Sequence, residues 1–254
     1  MRFETAEISL LGDREDNQDR LAVHEAEAGL LLVVADGMGG HAGGAAAAST
    51  AVASLVHSLD GAGPHVDPAG FLAQAIARAH DEVVALGASV GIGAAPRTTI
   101  ATCLVRDGRA VWAHVGDSRV YYAHGGVLAA RTRDHTAIEA LLRDGLIEED
   151  EIPGHPMRHY VEFCLGGSSE QPLVTVSEPT ALAPHDLLLL CSDGLWSGVD
   201  DDELAAGPRG DTRLGDWLTR MASRAVRACA PYSDNTTAVG LRVLPDDGEE
   251  ETGS

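Results

Sequence analysis

Four aspartates in this 254-residue chain share one kind of position, since each lies at an end of an apolar, strand-like segment. Asp36 follows "LLLVVA", Asp117 follows "AVWAHVG", Asp193 follows "LLLLCS", and Asp234 comes just before "NTTAVGL". Aspartate is common at strand ends simply because it hydrogen-bonds turn backbone. If these strand ends converge, however, the carboxylates would raise one another's pKa values unless cations lay between them. Such a cluster, without histidine or cysteine, favours Mg²⁺ or Mn²⁺ over Zn²⁺.

Glycine follows the first of these aspartates in "ADGMGGHAGG", from Ala35 to Gly44. Without a side chain, Gly37 lets the backbone approach an ion closely enough for its carbonyl oxygen to bind it. Two hard cations bridged by one carboxylate can hold a water molecule, lower its pKa and clamp the oxygens of a phosphoryl group. The pattern therefore predicts phosphate-ester hydrolysis.

A phosphoryl group also needs a positively charged partner, and the acidic segment "GDREDNQDR" contains Arg14. The planar guanidinium suits bidentate contact with phosphate oxygens. The alternative is a surface arginine paired with a neighbouring acid, namely Asp13, Glu15 or Asp16. Asp19 in the same segment is a candidate for holding metal-bound water.

Composition limits the classes of partner. Asp and Glu outnumber Lys and Arg by 39 to 18, and the formal net charge of -21 argues against binding to nucleic acid or to an anionic membrane surface. The sequence has no 18-residue apolar stretch, and its acidic start does not fit a signal peptide. The four cysteines are far apart and form no metal motif. We therefore expect a protein of the reducing cytoplasm.

Hydrophobic patterns predict the elements that position these residues. Strands are expected at "FETAEISLLG", "GLLLVVAD", "DLLLLCSD" and "TTAVGLRV". Three further strand-like segments, "TTIATCLVR", "RAVWAHVGD" and "SRVYYAHGG", follow one another, with a tight turn at Asp107 and Gly108. Helices are expected from about His41 to Leu59, from Pro68 to just before Gly87, and from about Thr212 to Cys229.

The order of these elements bears on the fold class. Strands come in blocks and helices in pairs, which favours an α+β layered sandwich over a doubly wound parallel sheet. The length favours a single domain over residues 1–244, followed by an acidic tail over 245–254 that cannot bury a core. Residues 134–167 combine a short helix pattern, acids and prolines, and they predict an irregular, partly mobile insertion.

Eight motifs in order resemble the metal-dependent PPM-type protein phosphatases, the type 2C serine/threonine phosphatases, in their bacterial form. The motifs cover nearly the whole chain. They are "REDNQD" (14–19), "ADGMGGHAGG" (35–44), "RTTIATCLV" (97–105), "HVGDSRVY" (114–121), "TRDHT" (132–136), "HPMR" (155–158), "LLCSDGL" (189–195) and "SDNTTAVGL" (233–241). The resemblance implies a four-layer α/β/β/α sandwich with two antiparallel β-sheets flanked by helices.

The resemblance also implies a binuclear Mn²⁺ or Mg²⁺ site at one edge of the sandwich. Asp36 would bridge the two ions and the Gly37 carbonyl would bind one of them. Asp193 and Asp234 would bind the other ion, while Asp19 would act through water.

Further roles follow from the same likeness. Asp117 matches the ligand of a third, weaker ion, Arg14 matches the phosphate-binding arginine, and residues 134–167 correspond to a flap associated with substrate choice. Animal members carry a histidine, the proposed general acid, where this chain has Met38. His41 is the nearest substitute as proton donor, and a structural or substrate-contact role is equally open.

Two departures from the family pattern concern substrate contact. Many relatives have glycine before "TT", where this chain has Arg97, which would crowd the site or contact the substrate. In addition, "HYVEFCLGG" replaces a "TRALG"-like stretch, so the conformation of the flap and the specificity are open.

The implied activity is single-step attack of a metal-activated water on phosphoserine or phosphothreonine of proteins. The implied substrates are targets of a bacterial serine/threonine kinase, and a monomer is expected. One alternative is a catalytically inactive phosphatase-like sensor or scaffold. Another is a phosphatase for small phosphorylated metabolites.

Two motifs invite other chemistry but lack its structural context. Cys103 to Arg109 has the C-x5-R spacing of cysteine-dependent phosphatases, yet Cys103 lies inside a predicted strand with nothing nearby to lower its pKa. Gly87 to Gly91 reads G-x-S-x-G, but a nucleophile elbow needs a strand before it and a helix after it.

Overall fold

The computed structural model describes residues 1–38, 41–90, 95–157 and 160–245, and only the backbone at residues 41, 42, 89, 90, 149, 153 and 154. Two antiparallel sheets form its inner layers. The first sheet contains, in spatial order, β1 (Arg2–Leu10), β14 (Thr236–Leu244), β13 (Leu187–Cys191), β8 (Arg119–His124) and β9 (Val127–Arg131). The second contains β11 (Thr175–Val176), β7 (Arg109–Val115), β6 (Ile100–Arg106), β3 (Gly29–Ala35) and β2 (Arg20–Ala26), and β12 (Thr180–Ala181) also pairs with β7.

Helices cover the outer faces of both sheets. The second sheet is covered by α1 (His41–Asp60) and α2 (Pro68–Val90), and the first by α4 (Asp193–Trp196), α5 (Asp201–Ala206) and α6 (Leu214–Cys229). A third apolar cluster fills the space between the sheets. This arrangement confirms the predicted α+β four-layer sandwich. None of the described helices is both long and apolar enough to cross a membrane.

The continuous apolar runs reflect burial on both faces. In β3, Leu31 and Val33 pack against the helices, whereas Leu32 and Val34 pack between the sheets. β13 alternates in the same way, with Leu189 facing α6. Because strand side chains point alternately to opposite faces, a strand at the centre of such a sandwich must be apolar throughout. The aspartates that end these runs therefore lie at the rim of the core.

A small third sheet lies beside the rim. It consists of three two-residue strands in the order β10 (Leu165–Gly166), β5 (Arg97–Thr98) and β4 (Gly37–Met38). The remaining helical elements are α3 (Ala137–Arg143) and a 3-10 helix (Glu149–Gly154), both within residues 134–167. Thr136 caps α3 by accepting a hydrogen bond from the Glu139 N–H at 3.3 Å.

Some local predictions are wrong. α2 does not end before Gly87 but continues to Val90. A methyl group at Gly87 would stand 3.0 Å from Cδ of Pro96, so this glycine makes room for a packed proline instead of ending the helix. The strands β2 and β9 and the helices α4 and α5 were not predicted. Residues 246–254 of the acidic tail lie outside the described residues.

Candidate active site

The four strand-end aspartates surround one cavity. It lies at one edge of the two sheets and has a volume of about 1380 Å³. Its walls include Arg14, Asp36, Gly37, Asp117, Asp193 and Asp234. The convergence expected from sequence is thus present, because β3 and β13 end and β14 begins at this edge.

Pairing of the first and last strands brings two loops to the cavity. In this register Leu10 lies opposite Thr236, so the segment after β1 meets the segment before β14. Asn235 joins them: its amide donates to the carbonyls of Leu11 at 2.9 Å and Asp16 at 3.0 Å. Its side-chain oxygen accepts from the Gln18 N–H at 2.8 Å. Asn235 therefore positions both Arg14 and Asp19 relative to Asp234.

The backbone of Asp36 is fixed by two threonines at the end of β3. Its carbonyl accepts hydrogen bonds from the Thr98 hydroxyl and the Thr99 N–H, both at 2.8 Å. Its N–H donates to the Thr99 hydroxyl at 3.2 Å. With its backbone bound on both sides, Asp36 has its carboxylate available to the cavity.

Asp19 and Asp193 each carry an unsatisfied carboxylate oxygen. Ser192 donates its hydroxyl hydrogen to Oδ2 of Asp19 at 2.7 Å, and Asp193 follows it in the first turn of α4. Among the described residues, Oδ1 of Asp19 and Oδ1 of Asp193 are buried and have no hydrogen-bond partner. Buried polar atoms are nearly always partnered, so these two oxygens favour a cation as their missing partner.

The carboxylates raise one another's pKa values. Burial, together with repulsion from Asp19, Asp193, Asp117 and Asp234, holds the pKa of Asp36 well above its usual range. Burial, together with repulsion from Asp117, Asp234 and Asp19, also raises the pKa of Asp193 well above its usual range. Burial raises the pKa of Asp19 to about 6 and that of Asp117 to about 6. Cations would relieve this repulsion.

The donor set around the cavity consists of carboxylate oxygens, which fit hard cations. In the described ranges, no three His, Cys, Asp or Glu side chains have the geometry of metal ligands. Oδ2 of Asp234 pairs with the Arg14 guanidinium at 2.6 Å.

The alternative considered from sequence, pairing of Arg14 with a neighbouring acid, is not what the structure shows, and its role in phosphate binding stays a prediction. The partner of Arg14 is Asp234, 220 positions away, instead of a neighbouring acid, and Arg14 does contribute to the cavity wall. The neighbouring Asp13 is occupied elsewhere, since it accepts hydrogen bonds from the N–H and hydroxyl of Ser233.

Asp117 is held by a tryptophan from α4. The indole of Trp196 donates to the Asp117 carbonyl at 3.0 Å, and the guanidinium of Arg119 lies 3.7 Å from the Trp196 ring centroid. Arg119 in turn forms two hydrogen bonds with Asp134, at 2.7 and 2.8 Å, at the start of residues 134–167. This chain of contacts connects the "GDSR" motif to the flap.

Gly37 has a steric reason to be glycine that differs from the one expected. A methyl group at this position would collide with the backbone of Gly44 in α1, and it would approach the Gln18 carbonyl to 2.8 Å. The close approach is therefore between backbone segments around the cavity. The side chain of His41, the candidate proton donor, lies outside the described residues.

Sequence reasoning did not single out the residues that position the carboxylates, namely Thr98, Thr99, Ser192 and Asn235. A signal was available, because each lies within a motif quoted above: "RTT", "CSD" or "SDN". The structure also argues against nucleophilic catalysis by the cysteine of the C-x5-R motif. Cys103 is fully buried in β6, and burial raises the pKa of its thiol.

Comparisons with known proteins agree with this geometry. PstP of Mycobacterium tuberculosis, a serine/threonine protein phosphatase, is 33% identical over 222 residues, which are 85% of this chain and 41% of that protein. Protein phosphatase PhpP of Streptococcus pneumoniae is 31% identical over 261 residues, which cover 96% of this chain and all of the relative. This chain thus spans about two fifths of the length of PstP.

A solved structure extends the likeness to the fold. The catalytic domain of PstP in complex with two manganese ions is 29% identical, with a TM-score of 0.79, over 96% of this chain and 99% of that domain. The model of the protein phosphatase 2C family matches residues 9–232. The family model and the relatives cover most of the chain, and the chain therefore belongs to the protein phosphatase 2C family.

Proposed function

We propose that this protein is a metal-dependent protein serine/threonine phosphatase. One observation carries the proposal: carboxylates with raised pKa values and unsatisfied oxygens surround a single cavity that also presents Arg14. Mn²⁺ or Mg²⁺ fits these oxygen donors. Family membership supports the same reaction, and no metal-binding position of the family motifs is missing from the sequence.

The proposed ligands divide between two ions and a third, weaker one. Asp36 would be shared by the first two ions, the Gly37 carbonyl would hold one of them, and Asp193 and Asp234 would hold the other. Asp19 would act through water, and Asp117 would take part in the third site together with Asp193. When bound, such ions supply a water of lowered pKa and neutralise the charge of the phosphoryl oxygens.

The residues of the chain itself orient the reaction. Arg14 binds the phosphoryl oxygens once it leaves Asp234, and its fork of N–H groups fixes their orientation. Thr98, Thr99 and Ser192 hold Asp36 and Asp19 in place through the hydrogen bonds described above. Hydrolysis proceeds in one step, without a covalent phosphoenzyme. His41 is proposed as proton donor to the leaving oxygen, and loss of the alkaline-side inflection in the pH profile of kcat in His41→Gln would support it.

The substrates we propose are phosphorylated proteins, in particular targets of a bacterial serine/threonine kinase. The names of PstP and PhpP, both protein phosphatases, support this class. We further propose a monomer acting in the cytoplasm. The four cysteines are all free, which suits a reducing compartment.

Hydrolysis assays test the proposal directly. With Mn²⁺, the protein should hydrolyse p-nitrophenyl phosphate and a phosphothreonine peptide, and both activities should disappear with chelator and in Asp193→Ala. Asp211→Ala provides a matched control, because Asp211 is exposed and far from the cavity walls. Well-folded, manganese-loaded protein without turnover would favour a sensor or scaffold, and preference for sugar phosphates over phosphopeptides would favour a metabolite phosphatase.

A further inference from the structure

Arg97 is the strand partner of a residue in the wall of the active-site cavity. It belongs to β5, the middle strand of the small sheet, where it pairs with Met38 on one side and with Gly166 on the other. Met38 is part of the cavity wall. Residues directly opposite each other in an antiparallel pair present their side chains on the same face, and neighbouring strands lie about 4.8 Å apart. The Arg97 side chain therefore leaves the sheet on the face of Met38.

Arg97 is adjacent in sequence to a residue that contacts the carboxylate cluster. Its neighbour Thr98 is the residue that hydrogen-bonds the Asp36 carbonyl. Arg97 comes before Thr98 and pairs with the C-terminal end of the flap. The Arg97 backbone therefore lies between Met38, a residue of the cavity wall, and the C-terminal end of residues 134–167.

The end of the flap is shaped around the Arg97 side chain. A methyl group at Gly167 would come within 2.7 Å of Nε, 3.1 Å of Cδ and 3.3 Å of Cγ of Arg97. Gly167 also has a φ of +76°, which disfavours other residues. The glycine thus leaves space for the arginine, and the two departures from the family pattern, "RTT" and "CLGG", meet in the structure.

The charge of Arg97 has no counter-ion among the described residues, although the net charge of the chain is -21. No described carboxylate forms an ion pair with it, and its side chain is exposed. Burial raises the pKa of the Cys164 thiol, and the positive charge of Arg97 partly opposes that rise. Arg14, in contrast, is already paired with Asp234. Arg97 is therefore a cation available to a ligand.

We propose that Arg97 determines specificity by binding an anionic side chain of the substrate close to the scissile phosphoamino acid. The inference rests on the proposed phosphatase function. A carboxylate and a second phosphate present the same chemistry, since both are planar or tetrahedral oxyanions that accept two N–H bonds from a guanidinium. Successive residues of an extended peptide lie about 3.3 Å apart, so an anion one or two positions from the scissile residue reaches the rim.

Matched phosphopeptides test the proposal. Three peptides carry one phosphothreonine and differ only in the flanking residues, which are alanine, glutamate or phosphoserine. For the protein with Mn²⁺, we expect kcat/KM to be about fivefold higher for the glutamate peptide than for the alanine peptide, through KM, and higher again for the phosphoserine peptide. In Arg97→Gln both ratios should fall to about one, whereas Arg97→Lys should retain part of each.

Each ratio compares two substrates of one enzyme, so a change in the amount of active protein does not affect it. Arg109→Gln is the charge-matched control, because Arg109 is an exposed arginine at the hairpin turn between β6 and β7, and it should keep both ratios. Ratios equal in the parent and in Arg97→Gln, with turnover intact, would overturn the role of Arg97 alone. Absence of turnover on all three peptides by the parent would overturn the proposed phosphatase function, and this inference with it.

Discussion

At the scale of single residues, Asp234 connects metal binding to phosphate binding. Its Oδ2 accepts a hydrogen bond from Arg14 at 2.6 Å, and its Oδ1 accepts one from the Asn235 N–H at 2.8 Å. The Arg14 side chain is 57% exposed, so this ion pair contributes little stability and opens readily. A cation that takes over Asp234 would release the guanidinium toward a phosphate.

Replacing Arg14 with glutamine tests this exchange. We expect kcat/KM for p-nitrophenyl phosphate to fall about 10- to 100-fold, because a hydrogen bond to a charged group contributes about 1.5–3 kcal/mol. The Mn²⁺ affinity should rise, since Asp234 loses a competing cation. Steady-state kinetics and calorimetric titration with Mn²⁺ measure the two effects. A parallel loss of activity and metal affinity would show instead that Arg14 only supports the site structure.

The role of a residue could be predicted from the sequence where it depended on local position. It could not be predicted where it depended on partners that are distant in sequence. The aspartates could be identified because each lies at the end of an apolar run. Asn235 lies within the motif "SDN", but its positioning role could not be inferred, because its partners Leu11 and Asp16 are 224 and 219 positions away. A hydrogen bond between the two ends of the chain leaves no trace in any sequence window.

Asn235→Ala should therefore affect more than one function. The substitution removes two donated bonds and one accepted bond between the loops around the cavity, each contributing about 1 kcal/mol, so we expect the free energy of unfolding in chelator to fall by about 2–4 kcal/mol. Mn²⁺ affinity should fall about 10- to 100-fold, as it does when residues that support metal ligands are lost. Urea denaturation and calorimetry check both. Unchanged metal affinity would contradict the positioning role.

At the scale of elements, long strands and helices were predictable and two-residue strands were not. The continuous runs at β3 and β13 and the Ala-rich α1 have patterns that extend over several turns or pleats. The strands β4, β5 and β10 contain only two residues each, and their pairing depends on how α1 and the flap are placed. For this reason the small sheet that contains Arg97 and Thr98 could not be predicted from the sequence.

Close packing between β4 and α1 predicts that adding one methyl group at Gly37 lowers the stability of the protein. In Gly37→Ala the new Cβ would collide with the Gly44 backbone, which is part of a helix and cannot move aside as a side chain would. We expect the free energy of unfolding to fall by about 1–3 kcal/mol, the usual cost of overpacking, with a loss of phosphatase activity. Chemical denaturation measures the first effect.

Gly63→Ala is the matched control for this substitution. Gly63 is exposed, and no atom lies within 4 Å of the position that its Cβ would occupy. The same change of one residue type should therefore leave stability and activity nearly unaltered. Equal stability of the two variants would show that the backbone around Gly37 relaxes without cost.

At the scale of the whole molecule, the strand order brings Asp36, Asp117, Asp193 and Asp234 to one cavity. The pairing of β1 with β14 places the first and the last strand of the chain side by side in one sheet. The face-to-face arrangement of two sheets came from the family resemblance, because strand patterns alone do not say which strands share a sheet: β7 and β8 are consecutive and lie in different sheets. The domain boundary at residue 244 stays a prediction.

The buried acids and histidines make stability depend on pH in opposite directions. Burial lowers the pKa of His80 and His114, and that of His135 to about 4, so the unfolded chain binds more protons at acidic pH and stability rises with pH until the unfolded histidines are deprotonated, at about pH 7.5. Asp36 and Asp193 have raised pKa values, so the folded state holds protons that the unfolded chain has lost. Their contribution to stability falls as pH rises through their folded pKa values.

The histidines of the unfolded chain finish losing their protons about one unit above their pKa of about 6.5, so above about pH 7.5 the histidine contribution is nearly constant. We therefore expect the Tm in chelator to fall between about pH 7.5 and pH 8.5, because each extra proton held by the folded state costs about 1.4 kcal/mol per pH unit. In Asp193→Asn the slope should be smaller. With excess Mn²⁺ the slope should reverse, since a cation replaces the protons and binds more tightly as they leave. Thermal unfolding at both pH values, with chelator or with Mn²⁺, measures these slopes. Identical Tm values at both pH values in chelator would mean that the carboxylates around the cavity are not protonated in the folded protein, and that their repulsion is relieved in some other way.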